Sequence, residues 1–270
     1  YENKKILYYS KVEKKLKKRY LKAALIDPDG LSFGKAKVDN PIWVYWKQGL
    51  DQAPEIVKSC INSIKQNADT KVIIITDDNV EQYVKFPSYI IEKLEKGTMS
   101  TAAFSDLLRF SLLEHYGGTW IDSTVYLTDK LPEYVTKSDL FAYQDSFGLI
   151  RNPALMSVWL LHSTPNNEVI RETRNIAFEY WKNQNYVVEY LLPYIILTMV
   201  LKEHSEYFSK MPYANSDYCH LLLNHLDLPF NENDYEYIKE LSSIHKLTYK
   251  LKENVLEREN TFYTKLMEEN

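Results

Sequence analysis

The chain has 270 residues, of which 45% are hydrophobic, and it carries a formal net charge of −4. This length and composition are sufficient for one α/β domain with a sizeable buried core, and they exclude a disordered or fibrous chain. With two cysteines and seven glycines, the chain is not a disulfide-rich scaffold and has no glycine-rich phosphate-binding loop.

The first 26 residues are strongly basic. They carry nine lysine or arginine residues against two glutamates, a local charge of +7, so the rest of the chain carries −11. Apolar residues recur at helical spacing over residues 2–26, which predicts a basic amphipathic helix. Residues 27–30 end this helix, and a polar linker follows as far as Asn40. We expect an arm and linker over residues 1–40 and one domain over residues 41–270.

The basic arm has two possible uses. Its apolar stripe can pack against the domain, or the arm can contact an anionic membrane surface through residues 1–26. The acidic remainder of the chain argues against nucleic acid as a partner, because phosphate backbones require a basic stripe. The longest apolar run, residues 190–201, contains Pro193 and is shorter than the ~20 residues that a membrane-spanning helix needs.

A strand, a helix and a second strand follow the linker. Residues 42–46 are rich in β-forming side chains, and residues 54–66 have proline at the first turn of a helical pattern. Residues 71–76 form a continuous apolar run, typical of a strand buried on both faces. This order predicts a βαβ unit with parallel strands.

A second helix and strand lie at the centre of the chain. The pattern predicts a helix that Ser100 caps and that ends at Tyr116, before the glycine pair at 117–118. Asp106 and Arg109 lie on one face of this helix, and Asp122 follows a short strand, where open α/β sheets place ligands. Weaker patterns predict further strands and helices: strands at 140–143 and 157–161, and helices at 166–183, 187–202 and from Val255 onward.

Three separated motifs together resemble the capsular polysaccharide synthesis proteins. These motifs are IWVYWKQG at 42–49, SDLLRFSLLEHYGGTWIDSTV at 105–125 and SIHKLTYK at 243–250. That family is related to the sugar-binding-region (DxD) glycosyltransferases. The resemblance covers residues 41–250 and leaves out the arm. It implies a GT-A-like, Rossmann-like α/β fold, in which helices flank a mixed sheet.

The resemblance also implies a donor-binding site. Trp46 would stack on the nucleotide base, with Gln48 and Gly49 in a turn near the ribose; the alternative for this tryptophan is a place in the core. Asp106 and Arg109 would contact hydroxyl groups of the donor sugar. Their alternative is a salt bridge that only braces the helix.

The diphosphate site departs from the family pattern of two carboxylates. The chain has Asp122-Ser123-Thr124, so Thr124 replaces the second carboxylate. The resemblance implies a divalent cation, Mn²⁺ or Mg²⁺, held by Asp122, Thr124 and His245, although the replacement weakens such a site. Lys246 or Lys250 would contact the phosphates, unless the third motif is only a strand with solvated lysines.

The function implied by the resemblance is transfer of a hexose from a nucleotide sugar, of which a UDP-sugar is the expected form. The acceptor would be a saccharide or a lipid-linked oligosaccharide of a capsule or other surface polysaccharide, and the anomeric configuration would be retained. Widely spaced Cys60 and Cys219 favour the cytoplasm, with the arm at the inner face of the membrane. The alternatives are a catalytically inactive carbohydrate- or nucleotide-binding protein and a toxin-like transferase that modifies proteins.

Overall fold

The computed structural model describes residues 2–145 and 152–268, which form a mixed α/β structure around a five-stranded sheet. The sheet has the order β3-β2-β5-β8-β7. Strand β2 is parallel to both of its neighbours, β3 and β5, while β8 is antiparallel to both β5 and β7. Two-stranded pairs β1-β4 and β6-β9 lie beside it. The strands are β1 Ser32–Phe33, β2 Ile42–Tyr45, β3 Val72–Ile75, β4 Val84–Lys85, β5 Gly118–Ile121, β6 Val125–Leu127, β7 Leu140–Gln144, β8 Met156–Ser163 and β9 Ile244–Lys246.

Twelve α-helices are found in the described part of the chain. They are α1 Glu2–Tyr20, α2 Glu55–Asn67, α3 Ser88–Glu95, α4 Thr101–Tyr116, α5 Glu133–Thr136, α6 Glu168–Asn183, α7 Leu192–Glu203, α8 Ser205–Lys210, α9 Leu221–His225, α10 Glu232–Leu241, α11 Glu253–Leu256 and α12 Phe262–Glu268. None of the helices within residues 2–145 and 152–268 is long and apolar enough to cross a membrane.

Hydrophobic cores cover both faces of the sheet. Successive side chains of a strand point to opposite faces, and β2 shows this directly. Trp43 belongs to the core that also contains the buried residues of α4, α6 and α7, whereas Val44 belongs to the core that contains those of α2. The predicted α/β fold, in which helices flank a mixed sheet, is confirmed.

The predicted elements of the first half are confirmed with small changes in their ends. The β2-α2-β3 segment is the expected βαβ unit, with Ile42 opposite Val72 in a parallel pair. The central helix is α4, and the Ser100 side chain accepts a hydrogen bond of 3.2 Å from the Ala103 amide.

The second half differs from the sequence prediction in several places, and helices α8, α9 and α10 were not predicted. The helix predicted from residue 187 begins at Leu192, because Pro193 fits only the first turn of a helix. The final helix predicted from Val255 is divided into α11 and α12. The β6-β9 pair was not predicted, since its strands have three residues each and lie more than a hundred residues apart.

The arm packs its apolar stripe against the domain. Val12, Leu16 and Tyr20 of α1 are buried in the same core as α4 and α7, and a short 3-10 helix, Leu21–Leu25, continues the chain. Just after this 3-10 helix, Asp27 forms an ion pair of 2.5 Å with the buried Arg174 of α6. Arg174 also pairs with Glu114 of α4 at 2.6 Å. The first of the two uses predicted for the arm is therefore present, and only its outer, lysine-rich face remains for a membrane contact.

Candidate active site

The glycine pair after α4 brings β5 close to β2 and so fixes the position of Asp122. Gly117 and Gly118 both have positive φ angles, 69° and 96°, which glycine adopts without steric cost. A Cβ atom on Gly118 would lie 2.2 Å from the carbonyl oxygen of Pro41. The next residue, Thr119, donates its amide to that same oxygen at 2.8 Å. Asp122 therefore emerges at the end of β5, beside the face of α4 that carries Arg109.

Arg109 joins the two acidic side chains that were predicted to bind the donor. Its Nη2 lies 3.1 Å from Asp106 Oδ1 and 3.5 Å from Asp122 Oδ1. The guanidinium is buried, donates to the backbone carbonyls of Val158 and Ser105, and lies over the Trp120 ring at 5.0 Å. The salt bridge predicted as an alternative is present, and it also reaches Asp122, so Arg109 fixes both carboxylates.

Lys246 reaches the same carboxylate from the third motif. Strand β9 pairs with β6 so that Lys246 lies opposite Val125. Its Nζ donates to Asp122 Oδ2 at 3.0 Å and to Thr124 Oγ1 at 2.6 Å. The structure therefore brings together Asp106, Arg109, Asp122, Thr124 and Lys246, which come from two distant motifs.

The environment separates the pKa values of the two carboxyl groups. Burial alone would raise the pKa of Asp122, but Lys246, Arg109 and a hydrogen bond from Trp120 Nε1 outweigh it and hold this pKa below its ordinary value. Burial raises the pKa of Asp106 to about 7 against the opposing effect of Arg109, and the Asp122 charge adds to the increase. Asp122 is thus an anion at neutral pH, whereas Asp106 changes its protonation state there.

The cluster is accessible from solvent. The side chains of Asp106, Asp122 and Lys246 are 22%, 26% and 20% exposed, so a ligand can reach all three. A cavity of about 330 Å³ lies elsewhere, between residues 26–30, α3 and α6, and none of the predicted donor-binding residues lines it. The polar cluster, rather than that cavity, is the candidate active site.

Trp46 connects the first motif to the third. It follows β2, and its ring packs edge-to-face against Tyr249 at a centroid distance of 5.5 Å. Its indole Nε1 is buried and has no hydrogen-bond partner in the part of the chain that the structure describes. The Gly49 amide donates to the Trp46 carbonyl at 3.1 Å, which closes a turn in which Gln48 is exposed. The exposed part of this half-buried ring is suited to stacking on a planar ligand.

His245 and Lys250 do not join the cluster. His245 precedes Lys246, so it points to the opposite face of β9, where it is fully buried. Its Nε2 lies 3.2 Å from Thr128 Oγ1, and burial with the nearby Lys239 lowers its pKa to about 4. Lys250 is exposed, and its Nζ lies 5.9 Å from the centre of the Tyr249 ring. The geometry therefore does not support His245 as a ligand shared with Asp122 and Thr124.

Comparison with known proteins identifies a family. The family model described as capsular polysaccharide synthesis protein matches residues 1–266. The chain belongs to this family. The predicted resemblance is confirmed, but its limits were wrong, because the match includes the arm as well as the domain. A role in capsular polysaccharide synthesis follows from this membership.

Solved structures add a distant likeness. One, titled "PaToxG Glycosyltransferase", covers 98% of this chain and 97% of its own length, with a TM-score of 0.45 and 14% sequence identity. A comparison with curated proteins finds no match.

The residues at the candidate site do not fit the divalent cation that the family resemblance implies. Among the described residues, no group of three or more His, Cys, Asp or Glu side chains could hold a metal ion. Asp122 Oδ1 accepts from Trp120 and faces Arg109, and its Oδ2 accepts from Lys246. Both oxygens of the one carboxylate in the motif thus already face a cation, which disfavours a divalent metal ion, although Oδ2 can still accept a hydrogen bond from a hydroxyl group.

Sequence reasoning missed two contributors to the site. Trp120 lies two residues before Asp122 on the same face of β5, and this period-two spacing was visible in the sequence. Tyr194 on α7 gave no such signal. The pKa of its hydroxyl is raised by burial and by the charges of Asp122 and Asp145, so α7 approaches the carboxylates.

Proposed function

We propose that this chain is a nucleotide-sugar-dependent glycosyltransferase that extends a saccharide or lipid-linked oligosaccharide in capsular polysaccharide synthesis. One observation carries this proposal: two partly exposed carboxylates and the Lys246 ammonium group converge at the end of β5. Carboxylates accept hydrogen bonds from sugar hydroxyls, and an ammonium group binds phosphate oxygens. Membership of the capsular polysaccharide synthesis family supports the class of product.

The charged side chains of the cluster have different tasks in this proposal. Asp106 and Asp122 accept hydrogen bonds from the donor sugar, while Arg109 holds both in position. Because the guanidinium of Arg109 is buried, it serves mainly to orient the carboxylates and to lower the pKa of Asp122. Fixed acceptors of this kind hold the sugar for attack without reorganisation.

Lys246 acts on the leaving group. In the transfer, the bond between the anomeric carbon and the phosphate oxygen breaks, and an acceptor hydroxyl oxygen bonds to that carbon and gives its proton to an oxygen of the departing diphosphate. Negative charge develops on the departing nucleoside diphosphate. An ammonium group placed beforehand beside these oxygens stabilises this charge in the transition state. We also propose a hexose donor and retention of configuration, as in the related sugar transferases.

Trp46 is proposed to hold the nucleotide base. Its half-buried ring follows β2, and its Nε1 has no partner among the described residues. The exposed part of the ring can stack on a base, and we propose a UDP-sugar, the form that the family resemblance implies, as the donor. Gln48 and Gly49 lie in the adjoining turn, beside which the ribose would be placed.

The arm is proposed to hold the enzyme at the inner face of the cell membrane. Its outer face carries exposed lysines, and Leu25 and Ile26 at its end are 83% and 66% exposed. Basic and apolar side chains in one exposed surface are typical of peripheral contacts with anionic lipid. A lipid-linked acceptor would meet the enzyme there.

A test of the proposed function is release of nucleoside diphosphate from a panel of nucleotide sugars, with and without divalent cations. We expect at least one donor to be turned over and Asp122→Asn to abolish that turnover while the far-ultraviolet circular dichroism spectrum is unchanged. Binding without release across the panel would instead favour a carbohydrate- or nucleotide-binding protein. Equal turnover by Asp122→Asn and the wild type would contradict the assigned site.

A further inference from the structure

The Lys246 ammonium group lies between the two side chains that would otherwise flank a divalent cation. Positions 122 and 124 are two residues apart, and Lys246 Nζ is 3.0 Å from Asp122 Oδ2 and 2.6 Å from Thr124 Oγ1. Thr124 offers a neutral hydroxyl oxygen, which is a weaker ligand for a hard cation than a carboxylate. It is nevertheless a good hydrogen-bond acceptor for an ammonium group.

The charges around Asp122 oppose a divalent cation. Asp122 is a single anion that faces two cations, Lys246 and Arg109. The other carboxyl group, Asp106, is only partly ionised at neutral pH because burial raises its pKa to about 7. Asp122, Asp106, Lys246 and Arg109 together therefore carry a net charge between 0 and +1 before any ligand binds. A divalent cation would have to displace Lys246 and would be repelled by both fixed cations.

We propose that Lys246 takes the place of the divalent cation in this site, so that the protein binds its donor diphosphate without a metal ion. This inference rests on the proposed function, because it assigns the group that neutralises the diphosphate of that donor.

The geometry of Lys246 allows this role. An ammonium group has three N–H donors, and the described contacts of Lys246 use two of them, to Asp122 and Thr124. The third can reach a phosphate oxygen, since the side chain is 20% exposed. Pairing to β6 holds the backbone of β9, so the cation is positioned before the donor arrives.

Isothermal titration calorimetry of UDP binding, in EDTA and in Mn²⁺, tests the inference. We expect the same dissociation constant in both solutions. We also expect electron paramagnetic resonance of Mn²⁺ with the protein alone to show only the free ion. UDP affinity that is about tenfold or more higher in Mn²⁺, or saturable Mn²⁺ binding at one site, would overturn the inference.

Variants at Lys246 provide the second test. Lys246→Ala should weaken UDP binding by about ten- to a hundredfold, because it removes a charge-assisted hydrogen bond to phosphate. Lys246→Arg keeps the charge and should recover part of the affinity. The matched control is Lys252→Ala, which changes an exposed lysine shortly after the third motif. This variant should bind UDP like the wild type. Equal affinities of Lys246→Ala and the wild type would overturn the inference.

These measurements separate the inference from the proposed function. Donor turnover that requires Mn²⁺ would overturn the inference alone and leave a metal-dependent transferase. Failure of the wild type to bind UDP or any nucleotide sugar of the panel, with or without Mn²⁺, would contradict the proposed function and the inference with it.

Discussion

At the scale of single residues, the candidate site depends on two aspartates in contrasting environments. Asp122 is held ionised by Lys246 and Arg109, whereas burial makes the Asp106 carboxyl group harder to ionise. Pairs of acidic groups with separated pKa values are common at active sites, because the two members then perform different tasks at one pH. In the proposed transferase, Asp122 contributes a permanent anion and Asp106 a group that responds to pH.

The raised pKa of Asp106 predicts a pH-dependent stability. Its folded pKa of about 7 exceeds its ordinary value of 3.8, so the folded state binds the proton more tightly between these values. Stability from this group is complete below pH 4 and is lost as pH rises to 7. Relative to Asp106→Asn, the wild type should lose about 2–3 kcal/mol between pH 5 and pH 7. Urea unfolding at several pH values measures this difference.

The control for this prediction is Asp51→Asn, which changes an exposed aspartate. Its unfolding free energy should follow that of the wild type throughout the same pH range. If Asp106→Asn also follows the wild type, the Asp106 carboxyl group is not set apart by burial.

Trp46 supports a second prediction at this scale. Trp46→Ala should weaken UDP binding by about 1–3 kcal/mol, the usual contribution of one base stacked on an aromatic ring, whereas Trp46→Phe should retain part of the affinity. Calorimetric titration with UDP measures both variants. Affinities indistinguishable from the wild type would place Trp46 outside the nucleotide site.

Most of the candidate site could be predicted from sequence, and each exception has a physical reason. The motifs named Asp106, Arg109, Asp122 and Lys246, which the structure brings together. His245 was assigned to the same ligand set, although adjacent residues of a strand point to opposite faces and could not both face Asp122. Period-two alternation within the third motif was enough to choose between them. Tyr194 could not be predicted, because its proximity depends on how α7 packs.

At the scale of elements, the connection from α4 to β5 determines where the site forms. Two glycines with positive φ end the helix and let β5 pass close to Pro41, and Trp43 Nε1 donates to the Gly117 carbonyl at 2.9 Å. The sequence predicted this helix, its cap and its stop, since each depends on a few neighbouring residues. It did not predict the β6-β9 pair, because pairing between distant three-residue strands has no local pattern.

A pair of glycine variants tests this connection. Gly118→Ala should be severely destabilising, by about 3 kcal/mol or more, because the new methyl group meets the Pro41 backbone in addition to the positive φ. Gly97→Ala is the matched control, since Gly97 also has a positive φ but no atom within 4 Å of a Cβ. It should cost about 1–2 kcal/mol. Equal losses in thermal or urea unfolding would show that the close approach does not matter.

At the scale of the whole molecule, the arm is packed as part of the fold. Its apolar stripe lies in the core, and the Asn175 side chain donates to the Ala24 carbonyl at 2.8 Å. The sequence predicted the helix and its stripe, but helical periodicity does not distinguish a stripe that faces protein from one that faces lipid. A membrane contact must therefore use the outer face.

A charge variant tests that membrane contact without disturbing the core. Replacement of the exposed Lys11, Lys14, Lys15 and Lys18 by glutamine should lower binding to vesicles with anionic lipid by at least about tenfold. Thermal stability should hardly change, because these side chains are outside the core. Vesicle co-sedimentation measures the partition, and an unchanged bound fraction would contradict a role for the arm at the membrane.

The account as a whole depends on where the nucleotide binds, and a crystal structure of the protein with UDP measures this directly. We expect the diphosphate within hydrogen-bond distance of Lys246 Nζ, the uracil against Trp46, and space for the sugar beside Asp106 and Asp122. UDP bound elsewhere, for example in the cavity beside residues 26–30, α3 and α6, would contradict the account.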